Sequence, residues 1–425
     1  VKDPLLKKWR WVMMGAGAWW LMGLNLFVYH LSAFGLFMEA IHRKNRQNAG
    51  VYMPASARFL VAIAVIYSFS IVIHLSSADS SRIVAAVYNL SFWIMGAMIV
   101  VVMANNFRSE MIPDILDGFY ALSFFVAVVS FLILAAWMKG IRDVTLPSPL
   151  YGLASHLGDT NLVKDSLLIR PLMWDWFASV SRPRFNVFSP YPTAAGGCIM
   201  IILLMILTRA VLLHKLKNAV FIGVFALSSL GFLMTLSRIS ILAFLVAFFV
   251  VFLVEKKNFV IWLLGLVFVL VICYPLLESL TQWIMGLREG STSIRFQLYR
   301  YSLEQLHDAD WIFGLGIKPR ENIFAIPLGS HSTYISLLFK TGIIGTTAFV
   351  SFQAWLMMKW FRLRLIVRRK RELFLFWRSI GLVLVAMSLW MATEDMDAPQ
   401  CLAFLYFSII GCFEGFRREC LYGKS

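Results

Sequence analysis

Long apolar runs broken by short links rich in lysine and arginine dominate this chain. They fall near residues 11–24, 26–41, 56–75, 83–104, 117–138 and 190–213, and again near 219–234, 239–254, 259–277, 329–358, 373–391 and 398–415. Many reach the roughly 20 residues that cross a bilayer as a helix. The runs are continuous and do not alternate, which excludes a membrane β-barrel. The pattern predicts an all-α polytopic integral membrane protein of about twelve transmembrane helices, with residues 1–425 as a single transmembrane domain. Residues 11–41 can form one long tilted helix or two short ones; two, broken around Asn25, give the parity that makes the charge pattern consistent.

Composition agrees. Of the 425 residues, 60% are hydrophobic and only 15% charged, and the mean hydropathy is +0.75. A soluble core that large would leave too few polar residues to cover it. The net charge of +16 could suggest nucleic acid, but its placement excludes that reading. Lysine and arginine gather in the links HRKNRQ, HKLKN, EKKN and RLRLIVRRKRE, the signature of cytoplasmic loops. With both termini on that side, the opposite side receives SSADSS, the loops 139–189 and 278–328, the link TLSR and the segment ATEDMDAP. The chain begins at Val1 without a Met, which points to a trimmed N-terminus, and the run that follows is read as a retained helix.

The two long loops are expected to form the working side of the molecule. The first holds Trp174, Trp176 and Phe177 among apolar and basic residues, which predicts a helix lying on the membrane surface. The second holds SIRFQLYRYSLEQL, with Ile294, Leu298, Tyr301, Leu303 and Leu306 at near-helical spacing, broken by GLGIKP. Arginines recur on this side at Arg182, Arg184, Arg238, Arg295 and Arg300. Arg238 is the most telling, because it sits in a tight link between two apolar runs, where an unpaired charge is costly. Snorkelling, or pairing with Asp175, Glu289 or Glu394, is the structural alternative for any one of them. Their convergence near one surface favours an anion site, since guanidinium groups suit bidentate phosphate contacts.

His331 opens the next apolar segment, where a helix N-terminus disfavours imidazolium and keeps the ring available as a base. A lone histidine could equally only cap or pack. Lys340, further into the same segment, is expected to pair internally. The carboxylates Glu394, Asp395 and Asp397 could hold a divalent ion, but no His–carboxylate spacing matches a ligand motif, so no metal is expected. Glu394 or Asp395 could instead orient His331 or an arginine. The five cysteines form no CxxC, so neither a disulfide framework nor a zinc site is indicated.

His331, Ser332, nine residues, Gly342, two residues and Gly345 resemble the H-[NSQ]-x9-G-x-x-[GTV] signature of bacterial O-antigen ligases. That family shares a superfamily with O-antigen polymerases and O-linked protein oligosaccharyltransferases. The resemblance extends over the layout from about residue 180 to 415. It implies a C-type glycosyltransferase-like architecture in the bacterial inner membrane, with a periplasmic active site. It also implies inverting, metal- and cofactor-free transfer of O-antigen from undecaprenyl diphosphate to a sugar hydroxyl of lipid A–core. His331 would be the general base, Arg238 and Arg295 would hold the diphosphate, and Arg182 or Arg184 would stand beside them. The stretch FNVFSPYPT lacks the Pro-Asn form of many relatives, which leaves that last choice open. A polymerase is disfavoured because no singled-out arginine has glycine at the polymerase spacing. A protein oligosaccharyltransferase is disfavoured because the chain stops soon after its last apolar run. A lipid-linked glycan flippase would place its charges near the midplane, whereas here they gather at one face.

Overall fold

The computed structural model describes residues 3–77, 79–153, 166–174, 183–214, 216–256, 289–319, 327–368, 370–397 and 400–422. Fourteen α-helices form within these residues. They are α1 (Pro4–Met14), α2 (Ala16–Met22), α3 (Asn25–Arg46), α4 (Ala55–Ile73), α5 (Ser80–Asn106), α6 (Ile112–Met138) and α7 (Pro192–Leu212), followed by α8 (Ala219–Met234), α9 (Arg238–Glu255), α10 (Glu289–Glu304), α11 (Asp310–Phe313), α12 (Thr333–Val367), α13 (Arg371–Trp390) and α14 (Gln400–Tyr422).

Seven of them, α4, α5, α6, α7, α9, α12 and α13, are long and apolar enough to cross a membrane. The shorter α8 is apolar as well. The chain is therefore a multi-pass helical membrane protein. The run at 259–277 lies outside the described residues. The break expected around Asn25 falls at Gly23, whose φ of 76° only glycine adopts readily. The core is built around α14, buried on every side from Gln400 to Phe416, and α7, buried along most of its length.

The two ends of the bundle differ. At one end, Arg43 pairs with Glu39, Arg10 with Asp114, Arg209 with Asp117 at 2.6 Å, and Arg378 with Glu255 at 3.0 Å. Arg364 and Arg368 donate to the carbonyls of Val254 and Glu255. These groups belong to the C-terminal parts of α3, α7, α9 and α12, the middle of α1 and the N-terminal halves of α6 and α13, so the basic links share one end. Helix α7, 21 residues long and so about 30 Å from end to end, carries the chain to the other.

One expectation fails at Trp174. Where a surface helix was predicted around Trp174, the chain forms a three-stranded antiparallel sheet, so the fold is not purely α. Its order is β1 (Val144–Pro147), β2 (Leu168–Trp174) and β3 (Pro183–Phe185). Strand β2 alternates enough to bury Ile169 and Leu172 against the helices. Its Pro171 is accommodated where the β1–β2 register shifts, between the pairs Val144–Leu172 and Leu146–Ile169, an irregularity that relieves the missing ladder donor. Trp176 and Phe177 lie outside the described residues. The second long loop does contain the expected helix, α10.

Candidate active site

At the end away from the basic links, the first turn of α7 forms the floor of a polar cluster. Pro192 opens this helix without a donor to lose. One turn on, Gly196 admits α9: a Cβ there would stand 2.8 Å from Ser240 Oγ and 2.9 Å from Ser237 Cβ. Arg238, the first residue of α9, is thereby set beside α7. Arg184 supports the same link from β3, donating Nε–H to the Thr235 carbonyl at 2.9 Å, and it is buried. The Thr235 hydroxyl accepts from Ser237 N at 3.3 Å, closing the turn through Leu236.

Helix α10 supplies a second wall. Residues 295, 298, 299 and 302 recur at helical spacing and share one face. Arg295 donates Nη2 to Glu394 Oε1 at 2.8 Å and Nη1 to the Thr393 carbonyl at 3.0 Å. Tyr299 donates its hydroxyl to the carbonyl of His331. Ser302 Oγ accepts from Gly329 N at 2.7 Å. Arg300 stands on the opposite face, its side chain 80% exposed and paired with Glu304. The structure does not bring Arg300 to the cluster; an i,i+4 surface pair accounts for it. Arg182 lies outside the described residues.

His331 itself is half-buried just before α12, with a φ of 64°, a conformation uncommon for a residue bearing a Cβ. Ser332 is the N-cap, its hydroxyl accepting from Ile335 N. The first turn of α12 is tied to the 391–397 segment. Thr333 N donates to the carbonyls of Met391 and Glu394, Thr333 Oγ1 donates to the Glu394 carbonyl at 2.8 Å, and Met396 N donates back to Thr333 Oγ1. Glu394 Oε2 accepts from Thr193 Oγ1 of α7 at 3.0 Å. A chain of contacts thus runs from α7 through Glu394 to Arg295 and, by backbone, to His331.

The motif glycine has a physical reason. Gly342 breaks α12 with φ 61° and ψ −164°, and a Cβ there would stand 2.2 Å from the Ile312 carbonyl oxygen. The GLG turn packs into the break, with Leu315 N and Gly316 N donating to the carbonyls of Phe339 and Lys340. Lys340, just before the break, pairs with Asp397, and Lys318 pairs with Asp395 at 2.6 Å; all four side chains are nearly or fully buried. Arg82 of α5 donates to the Lys318 carbonyl at 2.7 Å. The pairs fasten the break and the 391–397 segment to each other. The three carboxylates first considered for a metal therefore each have a cationic partner. Among the described residues, no group of three or more His, Cys, Asp and Glu side chains gathers to hold a metal.

These surroundings set the charge states. Burial pushes the His331 ring down to about 4; Arg295 and Lys318 push the same way, and Glu394 and Asp395 partly offset them. The direction is the one expected at a helix start, but the leading cause is burial. Burial also pushes the Tyr299 phenol up to about 12, keeping it a donor. Burial opposes ionisation of Asp395, yet the Lys318 and Lys340 ammonium groups outweigh it and hold the carboxyl below its usual range. The result at neutral pH is an uncharged imidazole bordered by guanidinium, phenol and carboxylate groups. Tyr299, Thr193 and Lys318 are members that sequence reasoning missed.

A membrane-embedded helical bundle with an imidazole and guanidinium groups gathered at one end defines a class suited to anionic, lipid-linked substrates. Residues 223–350 match the family model described as O-antigen ligase, a match that supports the O-antigen ligase/polymerase superfamily. The segment contains His331, Ser332, Gly342 and Gly345, which carry the signature, together with Arg238 and Arg295. No curated protein matches the chain.

Proposed function

We propose that the protein is an O-antigen ligase that transfers O-antigen polysaccharide from undecaprenyl diphosphate to a sugar hydroxyl of lipid A–core. In this reading it is an inner-membrane glycosyltransferase of C-type-like architecture with about twelve spans. Both termini are cytoplasmic, and the 139–189 and 278–328 loops form a periplasmic active site. The observation that carries the proposal is the joining of His331 to Arg295 by α10 and the 391–397 segment, both residues lying within the stretch 223–350 that matches the O-antigen ligase model.

The reaction divides between these groups. The acceptor hydroxyl oxygen attacks the anomeric carbon of the donor sugar from the face opposite the diphosphate, inverting it. The carbon–oxygen bond to phosphate breaks, and its electron pair stays on the diphosphate. The hydroxyl proton passes to a ring nitrogen of His331, a contribution of about 10² to 10⁴ in rate for general-base catalysis. Arg295 and Arg238, with Arg184 behind them, neutralise the growing charge on the leaving group without a metal. The N-terminus of α9 adds its dipole at Arg238.

Loss of the gene tests the reading. A strain lacking it is expected to accumulate polymerised glycan on undecaprenyl diphosphate and to leave lipid A–core bare. A single unpolymerised unit on lipid A–core would mean a polymerase instead, and carrier-linked glycan stranded on the cytoplasmic leaflet would mean a flippase.

A further inference from the structure

Both terminal nitrogens of Arg295 face the 393–394 segment, one on the Thr393 carbonyl and one on the Glu394 carboxylate. That edge of the guanidinium is the one that grips a phosphate bidentately. In the structure it is shared by an anion of the protein itself and a backbone carbonyl. Glu394 is 7% exposed in its side chain, and its second oxygen is held by Thr193 at 3.0 Å. A carboxylate in this position competes with any phosphate for the same fork, and the two anions repel each other if both stay.

We propose that Glu394 is a donor-displaced latch: it occupies the anion position on Arg295 in the donor-free protein, and the arriving lipid diphosphate takes that position and frees the carboxylate to face His331. The proposal rests on the reading of Arg295 as a diphosphate ligand. Thr193 keeps a hydrogen bond available to the released carboxylate, so the exchange does not strand a buried charge without a partner. The geometry holds the three groups in one corner. The Glu394 carbonyl is bonded by Thr333, two residues after His331, and Tyr299, one turn from Arg295, bonds the His331 carbonyl.

The exchange alters His331 as a base. The charged and titratable groups facing it are Arg295 and Tyr299 from α10, Glu394 and Asp395 from the 391–397 segment, and Lys318 from the segment after the GLG turn. In the donor-free protein Arg295 disfavours imidazolium and Glu394 favours it, so the two charges of the pair oppose each other at the ring. With donor bound, the diphosphate neutralises Arg295, while Glu394 is left to stabilise imidazolium. Lys318 stays paired with Asp395. Donor binding thereby strengthens the base at the step that needs it. Glu394 is a positioning residue in this scheme, acting through Arg295 and His331.

The test compares wild type, Glu394→Gln, Glu394→Asp and Arg295→Ala in detergent, with glycan-free undecaprenyl diphosphate as a probe that cannot be transferred. Glu394→Gln keeps the shape and removes the competing charge, so it should bind the probe about tenfold more tightly. Its kcat on glycan-loaded donor should fall, and the acidic limb of its kcat profile should move to lower pH. Glu394→Asp keeps the charge but withdraws it by one methylene; it should also tighten binding and serves if the glutamine variant does not fold. Unchanged or weaker probe binding in the variants that fold would overturn the latch. If Arg295→Ala loses the probe while the Glu394 variants gain nothing, only the latch fails. If Arg295→Ala binds the probe like wild type, the assignment of Arg295 to the diphosphate fails with it.

Discussion

Tyr299 holds the carbonyl of His331 through its phenol, although the two residues belong to different segments 32 positions apart. Because Arg295 lies one turn earlier on the same face of α10, this bond fixes the imidazole relative to the guanidinium. Removing the hydroxyl alone is therefore informative. Tyr299→Phe should cost about 1 kcal/mol of local stability. It should lower kcat about tenfold with donor affinity unchanged, since misplacement of a base is felt in the chemical step. A loss of donor affinity with normal kcat would move Tyr299 to donor recognition.

The arginines are expected to differ in kind. Arg295→Ala and Arg238→Ala should abolish or severely reduce transfer while the protein remains inserted. Their lysine variants should also be impaired, because an ammonium cannot reproduce the planar fork. Arg300→Ala, by contrast, should transfer normally, since that side chain is exposed and paired only with Glu304. Transfer assays on the purified variants, with membrane insertion checked in parallel, distinguish these outcomes.

Gly342→Ala places a Cβ against the Ile312 carbonyl in a backbone conformation that disfavours one. The expected cost is about 2 kcal/mol or more. It should appear as a lower melting temperature together with weaker transfer, because the break in α12 seats both the GLG turn and Lys340. A variant as stable as wild type would mean that the break has little to do with holding the site.

Chelation tests the leaving-group assignment. If guanidinium groups neutralise the diphosphate, transfer should persist unchanged in excess EDTA. Activity lost to EDTA and restored by magnesium or manganese would instead give the 394–397 carboxylates a metal to hold, with Lys318 and Lys340 displaced from them.

Much of the helical layout was legible in the sequence because hydrophobic runs of bilayer length have few other uses. The candidate site was legible in part, where a residue type was costly in its place: Arg238 in a tight link, His331 at a helix start, Lys340 within an apolar run. Its wiring was not. Thr193 meets Glu394 across 201 positions, and Lys318 meets Asp395 across 77. A threonine or lysine in a loop carries no local sign of such a partner. Tyr299 stands outside the apolar positions singled out in its helix, and its partner lies 32 positions away. The sheet was hidden for a related reason: β2 depends on pairing with strands on both sides and on a register shift at Pro171, none of which its seven residues encode alone.

The central claim is that His331 takes the acceptor proton while arginines hold the donor, and His331→Ala tests it most directly. Burial keeps the ring's proton affinity low, at about 4 against a usual value of 6.5. Wild-type kcat/KM, which reports the free enzyme, should therefore stay level from neutral pH and fall only as pH drops toward that value. His331→Ala should bind glycan-loaded undecaprenyl diphosphate with wild-type affinity yet transfer little of it, and raising the pH should restore part of the rate by ionising more acceptor. If the variant instead loses donor binding and keeps its turnover at saturating donor, His331 is a binding group and the base lies elsewhere.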